Sequence, residues 1–127
     1  MQNENPTNHK LKNDRYVKSR GGNSHFLDLY CGKCQQHLAL YQKDGQGSLL
    51  RLYLDRIFEP KELHELQFKS FGKKDVPALK CPKCASLIGV PMVYEAEGRL
   101  AFRLLHGSCV KKKSAGVYPP PEQAQNP

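Results

Sequence analysis

Apolar residues in this chain recur mostly at every second position, the period of a strand with one buried face. Leu27 and Leu29 alternate with Asp28 and Tyr30 and predict a short strand running into Cys31. Leu38 and Leu40 alternate with Ala39 and Tyr41, and Asp44-Gly45-Gln46-Gly47 then reads as a turn. Over residues 48–58, Leu50, Leu52 and Leu54 form one face and Arg51, Tyr53 and Asp55 the other, predicting one long strand that completes a hairpin. Pro60 suits the first turn of a helix. Leu63 and Leu66, three positions apart, extend this to one or two helical turns over residues 61–68. Residues 69–76 read as a loop. Leu87 to Tyr94 predicts a strand in which Pro91 marks an edge or a bulge, because proline donates no ladder hydrogen bond. Glu95 to Gly98 is a turn. Leu100, Phe102 and Leu104 then alternate with Arg99, Ala101 and Arg103; His106-Gly107 ends or bends that strand and residues 108–111 continue it.

The two halves of this pattern are weakly alike. Each carries a Cys-x-x-Cys knuckle, Cys31-Gly-Lys-Cys34 and Cys81-Pro-Lys-Cys84. Leu29 and Leu79 stand at equivalent places before the knuckles, and Leu38 and Ile88 after them. The two-residue spacer lets the backbone turn and aim both sulfurs at one point, so two knuckles supply the four thiolates of a closed tetrahedral zinc site. The expected fold is a small all-β domain over residues 26–110. In it, two antiparallel hairpins or sheets are clamped by one structural Zn(2+) on Cys31, Cys34, Cys81 and Cys84, with a short helix in the connection. A core of this size supplies little net stability, whereas a structural zinc contributes on the order of 10 kcal/mol. Folding is therefore expected to depend on the metal.

Three alternatives for the cysteines fit less well. Disulfides would leave Cys109 over, and the polar start of the chain, Met1 to Pro6, has no apolar export segment; an intracellular, cytoplasmic and reducing location is expected. Core thiols are not usually paired twice at this spacing. Iron in a rubredoxin-like site usually has glycine after the second cysteine of each knuckle, where this chain has Gln35 and Ala85.

The chain has 127 residues and a formal net charge of +8. No apolar run approaches the roughly 20 residues of a membrane span. Residues 1–25 hold five basic and two acidic side chains, residues 26–109 twelve and nine, and residues 110–127 three and one. Four thiolates and a Zn(2+) would bring the middle segment close to neutral, so most of the basic excess falls in the ends. Residues 1–25 are rich in Asn, Lys and Gly without an apolar period and read as a disordered basic arm. Residues 111–127, with Lys111, Lys112, Lys113 and Pro119 to Pro121, read as a disordered basic, proline-rich tail.

The knuckles, their separation and the hairpin after each resemble the zinc-ribbon and β-tent group: Yippee, the ligand-binding domain of cereblon and the B-type methionine sulfoxide reductases. The resemblance covers roughly residues 26–110 and implies two antiparallel sheets pinned by the metal. The tryptophan cage of the cereblon-like domain is not implied, since the chain has no Trp. The reductases place a catalytic cysteine downstream of the second knuckle, where this chain has Cys109 in His106-Gly-Ser-Cys109-Val-Lys rather than their usual Arg-His/Tyr-Cys-Ile-Asn.

Cys109, with His106 before it and lysines after it, is thus one candidate for thiol chemistry, because nearby positive charge raises the thiolate fraction. The plainer reading is a small buried thiol at a strand end. His37, three residues after Cys34, is a candidate for contact with a metal ligand. Arg51 and Tyr53 on one strand and Arg99 and Arg103 on another would form a basic, partly aromatic face if the strands share a sheet. Lys33 and Lys83 at the knuckle tips and Lys111 to Lys113 would extend it. Such faces hold phosphates and stack bases. The expected function is non-enzymatic binding of nucleic acid, RNA foremost, or of a ribonucleoprotein surface. The alternatives are an adaptor for protein partners and a thiol-dependent oxidoreductase. Neither a membrane nor a small-molecule substrate is expected.

Overall fold

The computed structural model describes residues 6–121. In chain order its elements are β1 (Thr7–Asn8), α1 (Arg15–Ser19), β2 (Ser24–Cys31), β3 (His37–Asp44), β4 (Arg51–Tyr53), β5 (Ile57–Glu59), α2 (Lys61–His64), α3 (Leu66–Lys69), β6 (Leu79–Lys80), β7 (Leu87–Tyr94), β8 (Arg99–Leu104), β9 (Cys109–Ser114) and β10 (Val117–Tyr118). Two antiparallel four-stranded sheets form, in the orders β5-β3-β2-β9 and β4-β8-β7-β6, with β1 and β10 as a separate pair. One core joins the sheets. Leu27, Leu29, Ala39 and Tyr41 of the first meet Leu52, Ile88 and Phe102 of the second. The small all-β class with antiparallel sheets and a short helical connection is as expected. No helix among the described residues is long and apolar enough to cross a membrane.

The long strand expected over residues 48–58 is broken. Its first part, β4, pairs with β8 and its last part, β5, with β3, so the segment passes from one sheet to the other. A 3-10 turn at Leu54–Arg56 makes the crossing. The alternation holds for Leu52 and Leu54, but Leu50 is exposed and Arg56 is buried. The cause is electrostatic: the Arg56 guanidinium turns inward, its Nε donating to Asp44 Oδ2 at 2.8 Å and its Nη2 to Asp14 Oδ1 at 2.7 Å. A buried charge is tolerated only when paired in this way. β9 makes a second exchange. It does not prolong β8 but returns through a turn at Gly107, where φ is +75°, to pair with β2 of the first sheet. Each sheet therefore holds strands from both halves of the chain. Pro91 lies on β7 beyond the stretch that β6 covers, at an open edge.

The arm expected to be disordered is built into the fold from residue 6 to residue 25. Asp14 caps α1, its Oδ1 accepting from Tyr16 N at 3.0 Å, while Val17 is buried. Arg20 forms a two-pronged ion pair with Glu97, both bonds 2.9 Å. Residues 111–121 are likewise described: β9 runs on to Ser114, and β10 pairs with β1. Arm and tail cover the outer face of the first sheet. Lys12 N donates to Gln42 Oε1 at 2.8 Å, and Tyr118 lies against His37. Gly116, at φ +82°, approaches the Phe26 ring so closely that a Cβ there would lie 2.6 Å from it. That cover explains why Leu40, Gln42 and Asp28, which point away from the core between the sheets, are nonetheless buried. Residues 1–5 and 122–127, the outer parts of the expected arm and tail, lie outside the described residues.

Candidate metal centre and basic surface

Each knuckle sits in the connection between two paired strands, the first between β2 and β3, the second between β6 and β7. The two are near copies. Cys31 N donates to Gln36 O at 2.8 Å, and Cys81 N to Ser86 O at 2.9 Å. Gln35 N closes a turn on Cys31 O at 3.0 Å, as Ala85 N does on Cys81 O at 2.9 Å. Lys33 N and Lys83 N each approach the first sulfur of their knuckle at 3.4 Å. Gln35 and Ala85, at φ +69° and +66°, are in the left-handed region that favours glycine. Gly32 has a different constraint: a Cβ there would lie 2.6 Å from Gly107 O, because the knuckle packs against the turn before β9.

The four ligand atoms of Cys31, Cys34, Cys81 and Cys84 all lie within 4.8 Å of one another. Cys31 Sγ is 3.6 Å from Cys84 Sγ, and Cys34 Sγ is 3.5 Å from Cys81 Sγ. Disulfide sulfurs would be about 2.05 Å apart. A tetrahedron with metal–sulfur bonds of about 2.3 Å has edges of about 3.8 Å. The donor set, the crossed pairing of the knuckles and the spacing therefore fit a metal ion held by four sulfurs. Ser86 was not singled out by sequence reasoning. Its Oγ lies 3.4 Å from Cys31 Sγ and 3.2 Å from Cys84 Sγ, and this hydroxyl lowers the pKa of both thiols, favouring the thiolate that a metal requires. Only its symmetry with Gln36 after the other knuckle could have drawn attention to it.

His37 is not a neighbour of the sulfurs in the hydrogen-bond network. Its Nε2 pairs with Asp28 Oδ1 at 2.8 Å on the outer face of the first sheet, beneath Tyr118. Cys109 stands directly across from Cys31 in the β2–β9 register. It is half-buried, and burial pushes its thiol pKa up rather than down. The turn at Gly107 brings His106 into the same cleft as Cys109, a space of about 380 Å³ also lined by Leu49, Leu50 and Lys111.

The expected basic face is assembled, but two of its four sheet residues are covered. β4 and β8 do share a sheet, with Arg51 opposite Arg103 and Tyr53 opposite Ala101. Arg103 is exposed, and the Arg51 guanidinium lies 4.4 Å from the Tyr94 ring centre. Tyr53 and Arg99, however, are buried. The Arg99 guanidinium is sandwiched 3.8 Å from the ring centres of both Tyr16 and Tyr53, and pairs with Asp55 at 2.7 Å and Glu97 at 2.9 Å. These two residues are removed from the proposed contact surface because α1, expected to be disordered, packs over them. Lys33 and Lys83 are exposed at the knuckle tips. Lys111, Lys112 and Lys113 stand exposed on β9, which is the edge of its sheet. No ion pair among the described residues engages any of the three.

Comparison with known protein families, with curated proteins and with solved structures returned no match. The resemblance to the zinc-ribbon and β-tent group accordingly remains one of sequence, in the knuckles, their separation and the hairpin expected after each.

Proposed function

We propose that the four cysteines hold one structural zinc ion, and that the domain so clamped binds single-stranded nucleic acid, RNA foremost, without catalysing a reaction. Four thiolates fill a tetrahedral zinc and leave no position for a substrate. One equivalent of zinc in the purified chain is the expected result, and iron or no metal would refute it. The observation that carries the binding reading is the edge strand β9, with three consecutive exposed lysines that no carboxylate pairs with among the described residues. Lys43, on β3 of the same sheet, adds to this charge, and Arg51 and Arg103 contribute from the other sheet. Three or four lysine–phosphate contacts on a single strand give a log–log salt slope of about −2 to −3, or about 20- to 50-fold weaker binding between roughly 50 and 200 mM salt. Fluorescence anisotropy with a labelled RNA measures this. Replacing Lys111, Lys112 and Lys113 by Gln should flatten the slope by about 2; absence of binding at low salt sinks the reading.

A protein-binding adaptor is favoured by one separate observation. Phe68 and Phe71, in and after α3, are 71% and 95% exposed. Capture of a partner that survives high salt and nuclease and is lost on Phe71→Ser would support it. A thiol oxidoreductase is not favoured, since burial disfavours the Cys109 thiolate.

A further inference from the structure

The register of the first sheet places a second feature beside the β9 lysines. His25, Leu27, Leu29 and Cys31 of β2 point to the same side, as do Lys43, Tyr41 and Ala39 of β3, and Lys113, Lys111 and Cys109 of β9, through the pairings His25–Lys43, Leu27–Lys113 and Leu29–Lys111. Over Leu29 and Tyr41 this side is the core between the sheets. Towards His25 and Lys43 the other sheet no longer covers it. There it forms a cleft of about 440 Å³ under the Gly45–Gly47 turn, with Lys43, Lys111, Lys113 and His25 in its lining. Lys111 also lines the cleft that holds Leu50 and His106, so the two clefts flank one lysine and together form a groove across it.

One end of this groove is strongly cationic. No carboxylate lines either cleft among the described residues. The nearest, Asp44, has its carboxylate turned to Arg56 and Gln42. The Lys43 ammonium is held in place by long contacts of 3.4 Å with the Gly45 and Gln46 carbonyls. The positive charges are felt locally: burial, then Lys43, Lys111 and Lys113, lower the pKa of His25, and burial and then Lys111 lower that of Lys43. The other end is apolar, with Leu50 60% exposed beside His106. An anionic group in one cleft and a flat or apolar body in the other match a nucleotide that reaches across Lys111, and each cleft is by itself within the size range of small-molecule sites.

We infer that this groove takes the terminal nucleotide of a single strand, with a terminal phosphomonoester among Lys43, Lys111 and Lys113 and the base against Leu50 and His106. An end phosphate carries more charge than a bridging phosphodiester and, unlike it, is not obliged to leave the cleft on both sides. The inference rests on the nucleic-acid reading and narrows it to strand ends.

The test measures anisotropy of the zinc-loaded full chain with a labelled single strand at about 150 mM salt. The unlabelled end carries phosphate or hydroxyl, placed in turn at the 5′ and 3′ terminus. A phosphate at one of the two ends should tighten binding by about tenfold. Lys113→Gln should abolish that preference and, because it removes one of the strand-binding lysines, should also weaken hydroxyl-ended strands by about fourfold. As a second measurement, inorganic phosphate should shift the His25 ring resonances in the NMR spectrum. Equal binding of phosphate- and hydroxyl-ended strands overturns the end site and leaves the nucleic-acid reading standing, whereas no binding of either overturns both. A preference unchanged in Lys113→Gln and in Lys43→Gln also overturns it, by placing the phosphate elsewhere.

Discussion

The ion cluster around Arg56 predicts that one carboxylate, far from the metal, carries a large share of the stability. The Arg56 side chain is 1% exposed and Asp44 is 4% exposed, while Asp14, the other partner, is 40% exposed. In Asp44→Asn the shape is kept, but Arg56 loses its one buried counter-charge among the described residues. Removing one partner of a buried pair costs about 3–5 kcal/mol, because the remaining ion is desolvated without compensation. Asp14→Ala removes a partly solvated partner and the cap of α1. A cap alone is worth about 1 kcal/mol, and the exposed pair adds less than its geometry suggests because solvent screens it. The order of damage should therefore be Asp44→Asn, then Asp14→Ala. Against a total stability of about 5–15 kcal/mol the first change is severe. With a guanidinium chloride m-value of about 3 kcal/mol/M, it moves the midpoint down by about 1–1.7 M. Unfolding should be followed by circular dichroism at fixed, saturating zinc, since free metal itself shifts the equilibrium. Arg56→Met leaves the Asp44 carboxylate as the unpaired buried charge and should cost about as much, whereas Arg56→Met combined with Asp44→Asn removes both charges and should cost less than the sum of the two single changes. If Asp44→Asn unfolds within about 0.5 kcal/mol of the parent chain, the buried-charge argument is wrong.

Other substitutions test the knuckles and the basic cleft. Ala85→Gly relieves the left-handed strain at φ +66° and should stabilise the zinc-loaded protein by about 0.5–1 kcal/mol in the same assay; no gain would mean that the surrounding turn already accommodates the strain. Gly32→Ala places a Cβ 2.6 Å from Gly107 O and should weaken zinc retention against a chelator at least about tenfold, read by metal content after dialysis. Between pH 7.5 and 5.5 the protein should lose stability that His25→Gln retains. The folded pKa of His25 lies below its ordinary value of 6.5, so the unfolded chain binds the proton more readily and stability falls with pH through that range. Thermal melts of the two proteins at matched zinc measure it, and parallel pH curves would refute it.

What could be read from the sequence was whatever is local. A Cys-x-x-Cys spacing, a two-residue alternation and a Glu-Ala-Glu-Gly turn act over a few positions, and the knuckles and the β7–β8 hairpin formed where they pointed. The features that went unseen are decided by partners far along the chain. Asp14 meets Arg56 across 42 positions and Arg20 meets Glu97 across 77. Without those partners residues 1–25 hold too few apolar side chains to predict order. Yet Asp14 ahead of Arg15-Tyr16-Val17 is a helix cap in form, and it was a legible sign. The consequence reaches the candidate site. Because α1 closes over Tyr53 and Arg99, alternation that correctly placed four side chains on one sheet face did not place these two at the surface. The same physics leaves Lys111 and Lys113 exposed although they share a side of their sheet with core residues, because β9 is an edge and the second sheet does not extend over it. Strand periodicity specifies a side of a sheet, and only tertiary packing decides whether that side meets protein or water. A binding surface of the kind we propose therefore has to be sought where the cover ends, along β9, rather than wherever arginines alternate.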